Sequence, residues 1–146
     1  MIERTLVILK PDAIESGSYA QINAKIFALG LRQCGFVIIA PRMPDGLVRA
    51  LYAPYADSPF FPLILAYMTR TFCVAVIWEG EDAVAKVRTL AGATRPDQAA
   101  PGTLRARFGR ITEDGGIENA LHCSATPEEA SAEIALFFGG PDDGTN

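Results

Sequence analysis

Histidine occurs once in this chain, at position 122, and its imidazole can gain or lose a proton near neutral pH. It sits in Asn119-Ala120-Leu121-His122-Cys123-Ser124. On a strand, Ala120, His122 and Ser124 share one face, and Asn119, Leu121 and Cys123 share the other. Small neighbours on its own face leave the imidazole reachable, as a nucleophile requires. A lone strand histidine is more often structural, satisfied by nearby backbone groups. The strand alone does not decide between these two readings.

The basic residues around it narrow the choice. The net charge is −4 and the pI about 5.0, so the chain has no general attraction for nucleic acid or an anionic membrane. Any phosphate site must come from a local cluster. Arg88, Arg95, Arg105, Arg107 and Arg110 gather around a stretch rich in Gly and Pro. A guanidinium grips phosphate oxygens with two N–H groups at once. Arg95, Arg107 and Arg110 read as solvated surface charge. Lys10 directly follows an apolar strand, so it either projects from the sheet end, where ligands sit, or merely ends the strand. Phe60 and Phe61 are adjacent, and helical spacing prevents both from facing the core. One is left to stack on a flat ligand such as a nucleobase, although an isolated Phe-Phe pair is more often core.

These residues need elements to carry them. Glu3 to Lys10 reads as a central strand, with a nearly continuous apolar run ended by Pro11. Ser18 and Gln21 form the pattern of a capping box, opening a helix with Ile22, Ile26 and Leu29 on one face and Gly35 as its stop. Phe36 to Met43 is a second strand, placed at a sheet edge by Pro41. Asp45 to Ala53 is a short helix. Ser58-Pro59 caps a helix running to Tyr67. Thr71 to Trp78 is a third strand, and Glu81-Asp82 opens a helix bearing Val84, Val87 and Leu90. Gly92 to Glu118 is irregular, and a loop of that length is usually functional. Asn119 to Ser124 is the fourth strand. Thr126-Pro127-Glu128-Glu129 caps a last helix ending at Phe138. The order predicts an α+β fold: a ferredoxin-like split βαβ sandwich, with helices packed on a four-stranded antiparallel sheet.

The 146 residues, 49% hydrophobic and 21% charged, suit one domain over residues 1–138. Residues 139–146 are expected to be a disordered tail. No apolar run reaches membrane-span length, and the N-terminus lacks the form of a signal peptide. Cys34, Cys73 and Cys123 are odd in number and set in apolar sequence, as reduced thiols of a cytoplasmic protein would be. One His beside one Cys is too few for a zinc site.

Several segments together resemble the nucleoside diphosphate kinase family. They are Lys10-Pro11-Asp12, Ser58-Pro59-Phe60-Phe61, Trp78-Glu79-Gly80, Gly92-Ala93-Thr94-Arg95-Pro96, Ala99-Ala100-Pro101-Gly102-Thr103-Leu104-Arg105 and Asn119 to Ser124. Each is weak alone; in this order they are specific. The resemblance implies a ping-pong transfer of the terminal phosphate of a nucleoside triphosphate to a nucleoside diphosphate through a phosphohistidine. It implies that His122 is the nucleophile, with Ser124 and Glu133 supporting the imidazole. Lys10, Arg88, Thr94, Arg105 and Asn119 would bind phosphates and sugar. Tyr52 would lie near the histidine and lysine, and Phe60 with Ile64 would sandwich the base. Mg2+ would arrive bound to the nucleotide phosphates. A homo-oligomer is implied, with no nucleic-acid or membrane partner.

The chain departs from the family at several positions. Cys123 stands where glycine is usual, Ala125 where aspartate is usual, and Arg107 where an acidic residue is usual. The stretches from Phe108 to Asn119 and from Asp12 to Gly35 are longer, and the helix before Tyr52 is shorter. The competing reading is a catalytically weak nucleotide-binding regulatory module of the same fold. Loss of the nucleophile would favour that module, yet His122 is present.

Overall fold

The structure, a computed structural model, describes residues 1–139. The expected disordered tail, apart from Gly139, lies outside the described residues. Four strands form one sheet: β1 (Ile2–Leu9), β2 (Arg32–Ile39), β3 (Cys73–Glu81) and β6 (Leu121–Cys123), in the order β2-β3-β1-β6. Every neighbouring pair is antiparallel. A separate hairpin joins β4 (Arg110–Ile111) to β5 (Ile117–Glu118). The helices are α1 (Pro11–Ser16), α2 (Tyr19–Phe27), α3 (Asp45–Leu51), α4 (Phe61–Met68), α5 (Ala83–Ala91), α6 (Leu104–Phe108) and α7 (Pro127–Phe138). The predicted sheet and its antiparallel pairing are as observed.

β1 is central and apolar on both faces, which divides the core in two. Val7 and Leu9, with Val76 and Trp78 of β3, pack under Ile22 and Ile26 of α2 and Val87 of α5. Leu6 and Ile8, with Ala75 and Ile77, pack on the other face against Val48 of α3, Met68 of α4 and the flank of α7. A helix on either side of each strand pair removes most of β1 from water, which is the main driving force for this arrangement.

Local signals misplaced several boundaries. Ser18 makes no side-chain cap on α2; its hydroxyl instead accepts from Ser16 Oγ at 3.0 Å. That helix ends at Phe27, and Gly35 lies inside β2, beside a register shift between Gln33 and Gly35. β2 is an edge strand as expected, but it ends at Ile39, before Pro41. α4 begins at Phe61 with Phe60 as its cap, because Pro62 supplies the first-turn proline. Ser58 contributes its carbonyl, which accepts from the Phe61 amide at 3.1 Å, rather than its hydroxyl. α5 is capped from outside its own sequence: Glu3 Oε1 accepts from the Val84 amide at 2.9 Å. The Thr126 cap is as predicted, its side chain accepting from the Glu129 amide at 3.0 Å.

Candidate active site

β6 places His122 opposite Ile8 in the antiparallel register. Paired residues share a face, so His122 points to the side covered by α3, α4 and α7. The Thr126 cap and Pro127 set the start of α7, and one face of that helix carries Glu133 to the imidazole. His122 Nε2 lies 2.9 Å from Glu133 Oε1, with the two side chains 18% and 15% exposed. Ser124 donates its hydroxyl to the same carboxylate oxygen at 2.8 Å and accepts from the Leu6 amide at 3.1 Å. Burial pushes the Glu133 carboxyl up, but the hydrogen bond and charge of His122 and the Ser124 hydroxyl outweigh it, leaving the pKa below the ordinary glutamate value. An ionised Glu133 accepts the Nε2 proton, so the neutral tautomer keeps its lone pair on Nδ1.

Lys10 continues β1 on the same face as Ile8 and is buried. Its ammonium donates to Asn119 Oδ1 at 2.8 Å and lies 5.5 Å from the Tyr52 ring centroid and 5.7 Å from that of Tyr67. Two aromatic faces and an amide oxygen thus surround the ammonium, and none of them carries a compensating negative charge. Asn119 Nδ2 donates to the Thr94 carbonyl at 2.9 Å, which ties the loop after α5 to the lysine. Arg105 is also buried; its Nη1 donates to the Gly92 carbonyl at 3.0 Å and its Nη2 to the Leu121 carbonyl at 2.8 Å. Its Nε is buried with no hydrogen-bond partner among the described residues. Arg88 lies exposed in the last turn of α5.

A cleft of about 600 Å³ opens between α4 and the β4–β5 hairpin. Phe60 and Ile64 form one wall, Thr112 and Ile117 the other, and Thr94 lies in its lining. Phe60 is 48% exposed and Phe61 only 4%, so one of the pair is free to stack and the other is core. His122 and Lys10 are not in the lining; the chain of contacts Thr94–Asn119–Lys10 links the cleft to them. The geometry therefore joins a cleft with an aromatic wall to buried cations and a carboxylate-held histidine. Such a combination suits a base, its phosphates and a phosphoryl acceptor, in that order.

A family model described as nucleoside diphosphate kinase matches residues 3–142. The chain belongs to the nucleoside diphosphate kinase family. It is 42% identical over 141 residues to the nucleoside diphosphate kinase of Mycolicibacterium smegmatis, covering 96% of this chain and 97% of that one. It is 41% identical over 136 residues to the Pyrococcus horikoshii enzyme of that name, covering 93% and 85%. Among solved structures, the Aquifex aeolicus nucleoside diphosphate kinase superposes with a TM-score of 0.83 at 35% identity, over 96% of this chain and 97% of that one. The Halobacterium salinarum nucleoside diphosphate kinase, solved in complex with CDP, gives 0.84 at 36% identity, over 99% and 90%. The activity is accordingly phosphoryl transfer between nucleoside triphosphates and diphosphates.

Within this kinase fold nine of the predicted residues fall into three groups, and Arg88 and Arg105 stand outside them. His122, Glu133 and Ser124 meet directly, and so do Lys10 and Asn119. Phe60, Ile64, Tyr52 and Thr94 line the cleft. Tyr52 lies beside Lys10 as expected, yet its hydroxyl points 3.7 Å from Met68 Sδ and makes no hydrogen bond to His122. Arg105 spends two of its donors on backbone, so it braces the β6 turn as well as carrying charge. Of the arginines read as surface charge, Arg95 pairs with Asp97 at 3.0 Å and Arg110 with Glu118 at 3.3 Å. Arg107 stacks over Phe108.

A second network lies behind the kinase site. Asp12 Oδ1 accepts from the Tyr67 hydroxyl at 2.6 Å, and its Oδ2 accepts from the Ala120 amide at 3.0 Å. Burial and the Asp12 charge push the Tyr67 phenol far up, so it stays a proton donor. Arg70 donates to Glu118 at 2.8 and 3.2 Å and to Glu15 at 2.8 and 3.0 Å. Asp12 belongs to the Lys10-Pro11-Asp12 motif, which was the available signal; Tyr67 and Arg70 carry none.

Proposed function

We propose that His122 is the phosphate-carrying nucleophile of this kinase. The observation that carries the reading is the Glu133 carboxylate, 2.9 Å from Nε2. It fixes the tautomer and ring orientation, and leaves Nδ1 as the attacking atom. The Nδ1 lone pair forms a bond to the terminal phosphorus of a triphosphate, and the bond to the bridging oxygen breaks to release the diphosphate. In the second half, a terminal oxygen of another diphosphate takes the phosphoryl group and the N–P bond breaks. The proton on Nε2 stays with the ring throughout, and Glu133 offsets the positive charge that develops there.

Lys10, Arg105 and Asn119 offer donors to the phosphates and sugar, with Thr94 at the cleft edge and Arg88 approaching from α5. Catalysis then consists of positioning and electrostatic stabilisation. Phe60 and Ile64 hold the base by stacking and apolar contact. Magnesium would arrive with the nucleotide, held by its phosphates, since Lys10 and Arg105 are cations and offer the ion no ligand. Tyr52 and Ser124 act through Lys10 and Glu133 respectively. The exposed Phe36 and Ile38 on edge strand β2 favour self-association into a homo-oligomer. Three free thiols suit a reducing compartment such as the cytoplasm.

The test is to incubate the protein with magnesium and ATP labelled in its terminal phosphate. An acid-labile, base-stable phosphoprotein that discharges onto added diphosphate is expected. Absence of label on the wild type would sink the reading, and label retained by His122→Ala would reassign the nucleophile.

A further inference from the structure

We propose that Asp114, in the turn of the β4–β5 hairpin, biases the choice of nucleobase, favouring guanine over uracil and hypoxanthine. The proposal rests on the cleft being the base site. Phe60 and Ile64 read no base edge, because every base offers a flat face to stack. Any discrimination must come from a polar group at the rim. The opposite wall supplies one, in the segment between Phe108 and Asn119.

The turn over Thr112–Gly116 is braced from within. The Thr112 amide donates to the Gly116 carbonyl at 2.8 Å, and the Gly115 amide to the Thr112 carbonyl at 2.9 Å. Gly115 has a φ of 85°, which an L side chain adopts only with strain. Asp114 Oδ1 accepts from the Gly116 amide at 3.3 Å and from the Thr112 hydroxyl. These bonds hold the carboxyl below the ordinary aspartate value, the Thr112 hydroxyl contributing most. Oδ2 has no hydrogen-bond partner among the described residues. The hairpin's base is anchored by Glu118, which accepts from Arg70 at 2.8 Å and Arg110 at 3.3 Å. An anionic acceptor is thus presented on a fixed wall of the cleft, in whose lining Asp114 lies.

A carboxylate oxygen accepts hydrogen bonds and repels other acceptors. Guanine offers a ring N–H and an amino group side by side. Hypoxanthine lacks the amino group. Uracil places its N–H between two carbonyls, which the carboxylate repels. The discrimination is therefore by charge and hydrogen-bond pattern, applied against the wrong base as much as for the right one.

The experiment measures kcat/KM for GDP, IDP and UDP as acceptors, with ATP as donor. The wild type should rank GDP above both. Asp114→Asn keeps the Oδ1 acceptor that braces the turn and replaces the free oxygen by a donor. The GDP-to-UDP ratio should fall by about two- to fivefold, the range of an exposed charged contact. Phe60→Ala should instead lower kcat/KM for all three acceptors together by about tenfold. An unchanged ratio in Asp114→Asn, or an equal loss for every base, overturns the inference. A wild type that phosphorylates none of the three removes the proposed function itself. Activity indifferent to Phe60→Ala shows that the base lies elsewhere, which also overturns the inference while leaving the kinase intact.

Discussion

Asp12 holds Ala120 in a left-handed backbone conformation. The carboxylate accepts from the Ala120 amide at 3.0 Å, and Ala120 has a φ of 71°. The kink reverses the alternation expected of a plain strand: Asn119 turns to Lys10 while His122, three residues on, faces Glu133. Ala120 was expected to be a small neighbour on the histidine's own face. It lies instead in the core of the opposite side, with Leu121 and Cys123.

Removing that carboxylate should be costly. Asp12→Ala leaves the buried Ala120 amide and the Tyr67 hydroxyl without their acceptor, at about 1–3 kcal/mol each if both stay dry. The Tm should fall by roughly 5–15 °C for a domain of this size, measured by circular dichroism. A fall of less than about 2 °C would mean that water replaces the carboxylate and that the kink is self-supporting.

Glu133→Gln tests the orientation of His122, the proposed nucleophile. The amide is isosteric, but its neutral oxygen accepts more weakly from Nε2–H and offsets no charge. The rate of histidine phosphorylation should fall by about 10- to 100-fold, the value of a hydrogen bond to a charged group. The loss should appear in kcat with little change in KM, in stopped-flow or quench measurements. A loss confined to KM would mean that Glu133 serves nucleotide binding rather than the imidazole.

Acid should unfold the protein through Glu118. The hydrogen bond from Arg70 lowers its pKa most; burial opposes this, and Arg110 adds to the lowering. A carboxyl depressed in the folded state adds stability that is complete above its ordinary value of 4.5 and lost as pH falls through the lower folded value. Glu133 titrates in the same sense. Urea midpoints should therefore hold from about pH 7 to 5 and drop below that. Glu118→Gln should flatten this drop and lower the midpoint at neutral pH. A wild-type drop that Glu118→Gln leaves unaltered would assign acid sensitivity to other carboxylates.

What could be read in the sequence was what neighbouring residues settle among themselves. The Thr126 cap, the apolar β1 and the division of labour between Phe60 and Phe61 depend on spacings of a few residues. The motif order carried the His122, Lys10 and Asn119 assignments further. Ser18 failed as a cap because its hydroxyl pairs with that of Ser16, two residues away, and Ser58 because the helix starts later, at Phe61, leaving its buried hydroxyl without a partner among the described residues. Tyr67, Arg70 and Glu118 were out of reach for another reason. Their partners lie 55 residues away for Tyr67–Asp12 and 48 for Arg70–Glu118, and no local pattern reports such meetings. The capping of α5 by Glu3, across 81 residues, is of the same kind.

The pairing of β1 with β6 also bears on how the protein comes to be active. The Leu6 amide and the Ser124 hydroxyl that bond across the sheet are separated by 118 residues of chain. Closing so large a loop costs entropy before any contact returns it, so this edge of the sheet is expected to form late. Histidine and carboxylate belong to that final step. A half-folded chain can hold α2, β2 and β3 together and still have no His122–Glu133 pair in place. Recovery of phosphotransfer on refolding thus marks completion of the molecule, and should lag behind the return of helical signal.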